Sequence, residues 1–166
     1  MTVPLTKVFP TGQSELNQAL VEEHSELANA INGSQASYDP YIEGTDPLNK
    51  GTYTSQLGNY FKKGLITDVW FTVTWSAHAD AGTAMKVSLP QKVKGTSDIQ
   101  WIGSVMADGI AYTAGAHLVL RGIKDTFFAE VVACTNGGAV GNVVISGTGT
   151  LAGNIRYIGQ ADRVKA

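Results

Sequence analysis

The chain has 166 residues, of which 43% are hydrophobic and 16% are charged, and its formal net charge is −2 at pH 7. This length and hydrophobic content exclude an intrinsically disordered chain and are enough for one substantial core, so we expect a single domain with an appendage. The small net charge excludes the strong basic excess that is typical of nucleic-acid-binding proteins, and no nucleic-acid partner is expected.

Residues 1–32 predict an extended arm followed by one amphipathic helix. Pro4 and Pro10 disfavour helical structure in the arm, and Gly33 stands where glycine commonly ends a helix. Between them, one set of positions repeats with the spacing of a continuous helical face. We name this face the helix stripe, and it consists of Leu16, Leu20, His24, Leu27 and Ile31.

The helix stripe needs a covering surface, because a short isolated helix is only marginally stable in water. Two coverings remain open: the chain's own β block, or a short parallel bundle of copies of the same helix. The bundle is the preferred interpretation. In it, His24 is expected to form a tolerated polar layer near the bundle axis rather than to bind a metal.

Residues 33–50 carry turn residues without a helical or strand period. Asp39-Pro40 and Asp46-Pro47 are typical of turns, and the spacing of the acidic residues does not fit a calcium loop. The sequence therefore predicts a linker that lies over the surface of the following domain.

Residues 51–166 alternate short apolar runs with glycine turns. In the clearest strand, over residues 65–75, Val69 and Trp75 belong to one face and Trp70 to the other. The further candidate strands are 51–55, 59–63, 83–89, 99–106, 116–122, 126–134, 141–147 and 150–158. About nine short strands with no helical pattern between them predict a mainly β fold with an antiparallel β-sandwich or jelly-roll-like head.

Three predicted loops of this head combine aromatic, amide and charged side chains, as contacts to a saccharide or a protein require. The candidate ligand contacts are His78, Asp80, Gln100, Trp101 and Tyr112. For Trp75 and Trp101, the alternative is that they fill the core or a seam between subunits.

Cys134 is the only cysteine, so no intrachain disulfide can form, and its apolar surroundings predict a buried small hydrophobic residue. The N-terminus lacks the pattern of a signal peptide, and no stretch has the length and apolar character of a membrane span. We therefore expect synthesis in a cytoplasm without export by a signal peptide and without membrane insertion.

The sequence contains no constellation that is typical of an enzyme. His24, His78 and His117 are far apart, and neither a His-Glu-x-x-His helix nor a Gly-x-Ser-x-Gly elbow is present. The acidic residues of the β block mostly occupy predicted turns, where solvation explains them. We expect a protein that is not an enzyme and has no metal site and no cofactor.

The β block begins with a segment that contains Tyr, Gly and Asn. An alternating strand follows, and then come a glycine-rich turn and a strand that ends in Leu-Pro. The residues of this run are Tyr53, Gly58, Asn59, 69–75, Gly82, Leu89 and Pro90. The order is similar to that of a β domain in tailed-bacteriophage fibres and other virion proteins. The segment from Phe9-Pro10 to Asn32 also resembles the arm and short helix with which phage fibres begin.

This resemblance implies a virion structural protein that is made in the host cytoplasm and assembles as a homotrimer through the helix stripe. Residues 1–32 would attach it to the capsid, portal or tail, residues 33–50 would be the linker, and residues 51–166 would form a head that contacts a host-surface glycan or protein. The expected virion-docking residues are Val3, Pro4, Leu5, Val8 and Phe9. The short connector also admits a capsid decoration protein, which would stabilise the shell and recognise no host.

Overall fold

The computed structural model describes residue 12 and residues 17–25, 33–47, 51–95, 101–136 and 140–160. This part of the chain is mainly β and antiparallel, with one helix that includes residues 17–25, so the coarse fold class predicted from sequence is confirmed. The described strands are β1 (Ser34–Tyr38), β2 (Ile42–Glu43), β3 (Thr52–Lys63), β4 (Ile66–Ala77), β5 (Lys86–Ser88), β6 (Ile102–Asp108), β7 (His117–Gly122), β8 (Phe128–Cys134), β9 (Gly141–Asn142) and β10 (Gly149–Ile158).

These strands belong to one sheet, which curls into a half-barrel. The strand order is β1-β3-β4-β10-β6-β7-β8-β5-β2, and β9 pairs with β8 outside this path. The long strands β3, β4 and β10 are neighbours, and β10 separates β4 from β6. The last of the described strands is therefore an interior strand of the sheet.

Strand β3 is continuous where the sequence predicts two strands, 51–55 and 59–63. Gly58 lies in its middle and pairs with Tyr38 of β1. A Cβ atom at Gly58 would lie 2.4 Å from Cε1 of Tyr38 and 2.7 Å from the carbonyl oxygen of the same residue. Glycine at this position therefore permits the close approach of β1 and does not interrupt the strand.

Residues 33–47 differ from the surface linker that the turn residues predict. They contain β1 at one edge of the sheet and β2 at the other, and only residues 39–41 connect the two strands. Ile42 is fully buried, and Pro40 is buried as well. Because the apolar run here is so short, its periodicity is hidden by the neighbouring turn residues.

A seam of side-chain hydrogen bonds joins β3, the neighbour of edge strand β1, to the segment that contains the opposite edge strand, β2. The Tyr53 hydroxyl accepts a bond from the Ile42 N–H and donates one to the Ile42 carbonyl oxygen, each at 2.9 Å. Gln56 Nε2 donates to the Pro40 carbonyl oxygen at 2.9 Å. Burial raises the pKa of Tyr53, which keeps its hydroxyl protonated as a donor. Side chains of β3 thus hold β2, whose backbone ladder is formed with β5.

Tyr53→Phe is expected to lower the free energy of unfolding by about 1–2 kcal/mol, because the N–H of buried Ile42 loses its hydroxyl acceptor. Urea denaturation measures this loss as a lower midpoint, with an unchanged dependence of the free energy of unfolding on urea concentration. Tyr112→Phe removes the hydroxyl of a tyrosine that is 44% exposed, and it should change stability by less than about 0.5 kcal/mol. Equal midpoints for the two variants would show that the seam does not depend on the Tyr53 hydroxyl.

The inside of the curl is filled by one cluster of apolar side chains. Val73 of β4 and Val131 of β8 belong to this cluster although their strands are far apart in the sheet order. Trp75 is 1% exposed and donates its indole N–H to the Ser146 carbonyl oxygen at 2.9 Å. The alternation predicted for β4 is confirmed, since Trp75 faces this core and Trp70 is 51% exposed on the other side.

Cys134 lies at the end of β8 and is half-buried, which corrects the fully buried environment expected from its apolar neighbours. It pairs with exposed His117 of β7, near the open end of the strand pair. The position of Cys134 at the end of a strand explains why it is only half-buried, because sequence periodicity does not show where a strand ends.

The described helical residues, 17–25, expose their apolar side chains. Leu20 is 48% exposed, Val21 is 65% exposed, and His24 is exposed. The other residues of the helix stripe, Leu16, Leu27 and Ile31, lie outside the described residues, as do the virion-docking residues Val3, Pro4, Leu5, Val8 and Phe9. Within the described part of the chain, no helix combines the length and the apolar character needed to cross a membrane.

Candidate binding face

The outer face of β3, β4, β10 and β6 exposes large apolar side chains on neighbouring strands. Leu57 is 65% exposed, Trp70 is 51% exposed and Met106 is 72% exposed. An apolar patch rimmed by polar residues commonly marks an interaction site. We name this surface the outer tryptophan face, and it consists of Leu57, Asn59, Asp68, Trp70, Thr72, Met106, Ala152, Asn154 and Arg156.

Strand register places the Trp70 indole between two amide side chains. Trp70 is paired with Asn59 on β3 and with Asn154 on β10, and both asparagines are exposed. Directly opposed residues on one face of an antiparallel sheet have Cβ atoms only about 4.5–5.5 Å apart. The flat apolar ring is therefore flanked on both sides by groups that can donate and accept hydrogen bonds.

The next row of residues forms a shallow depression beside Trp70. In this row Leu57 is paired with Thr72, Thr72 with Ala152, and Ala152 with Met106. The two inner strands carry small side chains and the two outer strands carry large ones, so the surface is lower in the middle. The depression has a volume of about 430 Å³ and is open to solvent over most of its extent.

An ion pair borders Trp70 on the opposite side from the depression. Arg156 Nε lies 2.5 Å from Asp68 Oδ1, and Arg156 Nη2 lies 3.0 Å from Asp68 Oδ2. The hydrogen bonds that Arg156 donates to the Asp68 carboxylate raise the pKa of Arg156. Because each charge has its counter-charge within the face, the ion pair adds no net charge beside the tryptophan.

Two of the sequence-predicted ligand contacts are turned into the interior. His78 and Asp80 are 7% and 9% exposed. The Asp80 N–H donates to His78 Nδ1 at 3.1 Å, so the ring proton is on Nε2, which lies 3.2 Å from the Ile42 carbonyl oxygen. Asp80 Oδ2 accepts a bond from the Asp46 N–H at 2.8 Å. These contacts attach the loop after β4 to the segment that contains β2, and ligand contact by the two residues stays a prediction.

The other predicted contacts lie apart from this pair in the chain. Trp101 precedes β6, packs partly buried against the core and donates its indole N–H to the Lys94 carbonyl oxygen at 3.4 Å. Tyr112 is 44% exposed in the loop between β6 and β7. Gln100 lies outside the described residues. Their role in binding likewise stays a prediction.

The outer tryptophan face was not among the sites predicted from sequence. Its signal is Trp70 itself, because a large aromatic residue on the polar side of an alternating strand is unusual for a solvated face. Its partners could not be found in this way. Arg156 is 88 residues from Asp68 in the chain, and periodicity does not show that β10 pairs with β4.

In the described part of the chain, no three His, Cys, Asp or Glu side chains are grouped so that they could hold a metal ion. Every buried side-chain nitrogen or oxygen described has a hydrogen-bond partner.

The chain matches no protein-family model, and no curated protein shows significant sequence similarity to it.

Proposed function

We propose that this chain is a non-enzymatic structural protein of a tailed-bacteriophage virion, a trimeric fibre or spike that is anchored by residues 1–32 and attaches to the host surface through its β head. The observation that carries the proposal is the outer tryptophan face. A sheet that exposes Leu57, Trp70 and Met106 within a polar rim has the surface of a binding module. The resemblance of the arm, helix and β block to phage fibres supports the virion location.

The proposal includes a threefold bundle of the N-terminal helices and a sandwich-like, jelly-roll-like packing of the head. Exposure of Leu20 supports the bundle, because this apolar side chain of the helix stripe would be covered by copies of the same helix. The core shared by β4 and β8 supports the packing of two halves of the curled sheet against one another.

Deleting residues 1–32 is expected to abolish incorporation of the protein into virus particles, because the anchor and the bundle-forming helix are both removed. Mass spectrometry of particles purified from a host that makes only the truncated chain measures incorporation. The full-length chain expressed from the same plasmid is the control, and circular dichroism checks that the truncated head retains its β structure. Normal incorporation of a folded truncated chain would contradict the anchoring role.

A competition assay separates the attachment role from a decoration role. The purified full-length protein should inhibit adsorption of the phage to its host if the head binds the host surface. Particles that lack the protein, adsorb normally and break under heat or low salt would instead identify a capsid decoration protein and would contradict the proposal.

A further inference from the structure

We propose that the outer tryptophan face binds a neutral hexose-containing glycan, with one sugar ring stacked on Trp70. The inference rests on the host-surface attachment proposed above and names the chemistry of its ligand. One face of a pyranose ring presents mainly C–H groups and is nearly flat. The half-exposed indole of Trp70 offers a matching flat apolar surface on the outer face of β4.

The hydrogen-bonding groups around the indole suit sugar hydroxyls. Asn59 and Asn154 stand on either side of Trp70 in the same row. Each amide has one acceptor oxygen and two N–H donors, and each sugar hydroxyl is both a donor and an acceptor. A ring stacked on Trp70 can therefore exchange hydrogen bonds with both amides.

The ion pair makes a neutral sugar the better ligand. Asp68 and Arg156 already satisfy each other's charge through two hydrogen bonds. The remaining Arg156 N–H groups and the remaining lone pairs of Asp68 can bind neighbouring hydroxyls without separating the two charges. A sialylated or phosphorylated sugar would compete with Asp68 for Arg156 and would place a second anion beside the carboxylate.

The depression next to Trp70 accepts an apolar substituent on the sugar. Its floor is formed by Thr72 and Ala152, and its sides by Leu57 and Met106. A methyl group, such as that of an N-acetyl substituent, would be covered there. Among neutral glycans, we therefore expect N-acetylhexosamine-containing oligosaccharides to bind best.

The same polar groups disfavour a second copy of the chain as the occupant. Two sheets packed face to face would bury Asn59, Asn154 and the Asp68–Arg156 pair, and these groups would lose hydrogen bonds with water. Sugar hydroxyls replace those hydrogen bonds. A glycan therefore fits both the ring and its surroundings, whereas a flat protein surface fits only the apolar residues.

The test uses the full-length chain and an array of immobilised neutral, sialylated and phosphorylated oligosaccharides, followed by calorimetric titration of the neutral oligosaccharide with the highest signal. Neutral glycans should bind, and Trp70→Ala should weaken the affinity by about tenfold or more. Asn154→Ala should weaken it by a smaller factor. Phe127→Ala, which removes a ring that is 48% exposed in the loop before β8, is the matched control and should bind as the wild type does.

Equal binding by Trp70→Ala and the wild type, or a preference for anionic glycans, would overturn the inference. The inference would also be overturned if no glycan bound and if sedimentation showed that Trp70→Ala changes the oligomeric state. The face would then be a protein interface. The adsorption assay distinguishes this failure from that of the proposed function. Wild-type inhibition of adsorption without binding to any glycan would overturn only the glycan, whereas no inhibition would overturn the attachment role itself.

Discussion

Replacing Trp75 with alanine is expected to lower the free energy of unfolding by about 3–5 kcal/mol. The indole is 1% exposed in the core, so its removal leaves a large cavity that the surrounding strands can fill only in part. The Ser146 carbonyl oxygen also loses the indole N–H that it accepts at 2.9 Å. Urea denaturation followed by circular dichroism measures the change.

Trp70→Ala on the same strand is the matched control. Both variants remove an indole from β4, but Trp70 is 51% exposed on the outer face. We therefore expect a loss below about 1 kcal/mol for this variant. Similar losses of stability in the two variants would contradict the assignment of Trp75 to the core side of β4 and of Trp70 to its outer side. The outer tryptophan face depends on this assignment.

Gly103→Ala is expected to destabilise the protein by roughly 3 kcal/mol or more. Gly103 of β6 is paired with Ile155 of β10, and a Cβ atom there would lie 2.1 Å from the carbonyl oxygen of Asn154. It would also lie 2.7 Å from Cβ of Ile155. Because these obstacles include the backbone, β6 would have to move away from β10. Urea denaturation gives the loss of stability, and glycan titration should show weaker binding because Met106 moves with β6.

Gly141→Ala controls for the intrinsic effect of replacing a strand glycine. Gly141 lies in β9, and a Cβ atom there would have nothing within 4 Å. This variant should change stability by less than about 0.5 kcal/mol. If Gly103→Ala were tolerated equally well, the close contact between β6 and β10 would not be required for the fold.

The sequence was informative about the fold where a strand has one buried and one exposed face. In β4 the alternation of Val73 and Trp75 with Trp70 predicts which side meets the core, because successive side chains point to opposite faces. β2 has only two residues, too few for an alternation to show which side is buried. Alternation also does not determine strand order, because the insertion of β10 between β4 and β6 depends on contacts between residues distant in the chain.

The candidate site was harder to predict because residue type does not determine direction. His78 and Asp80 have the chemistry of ligand contacts, but their polar atoms make hydrogen bonds within the fold. Asn154 and Arg156 belong to the candidate strand 150–158, in which polar side chains ordinarily face solvent. They become candidate ligand contacts only because the strand register places them beside Trp70.

The interior position of β10 has a consequence for synthesis on the ribosome. Until β10 emerges, β4 and β6 have no strand between them, and the sheet consists of two separate groups of strands. Each group then presents an unpaired edge to other nascent chains. The ladder can become continuous only after β10 has been synthesised, so the stage most exposed to misassociation is the interval between the synthesis of β6 and the arrival of β10.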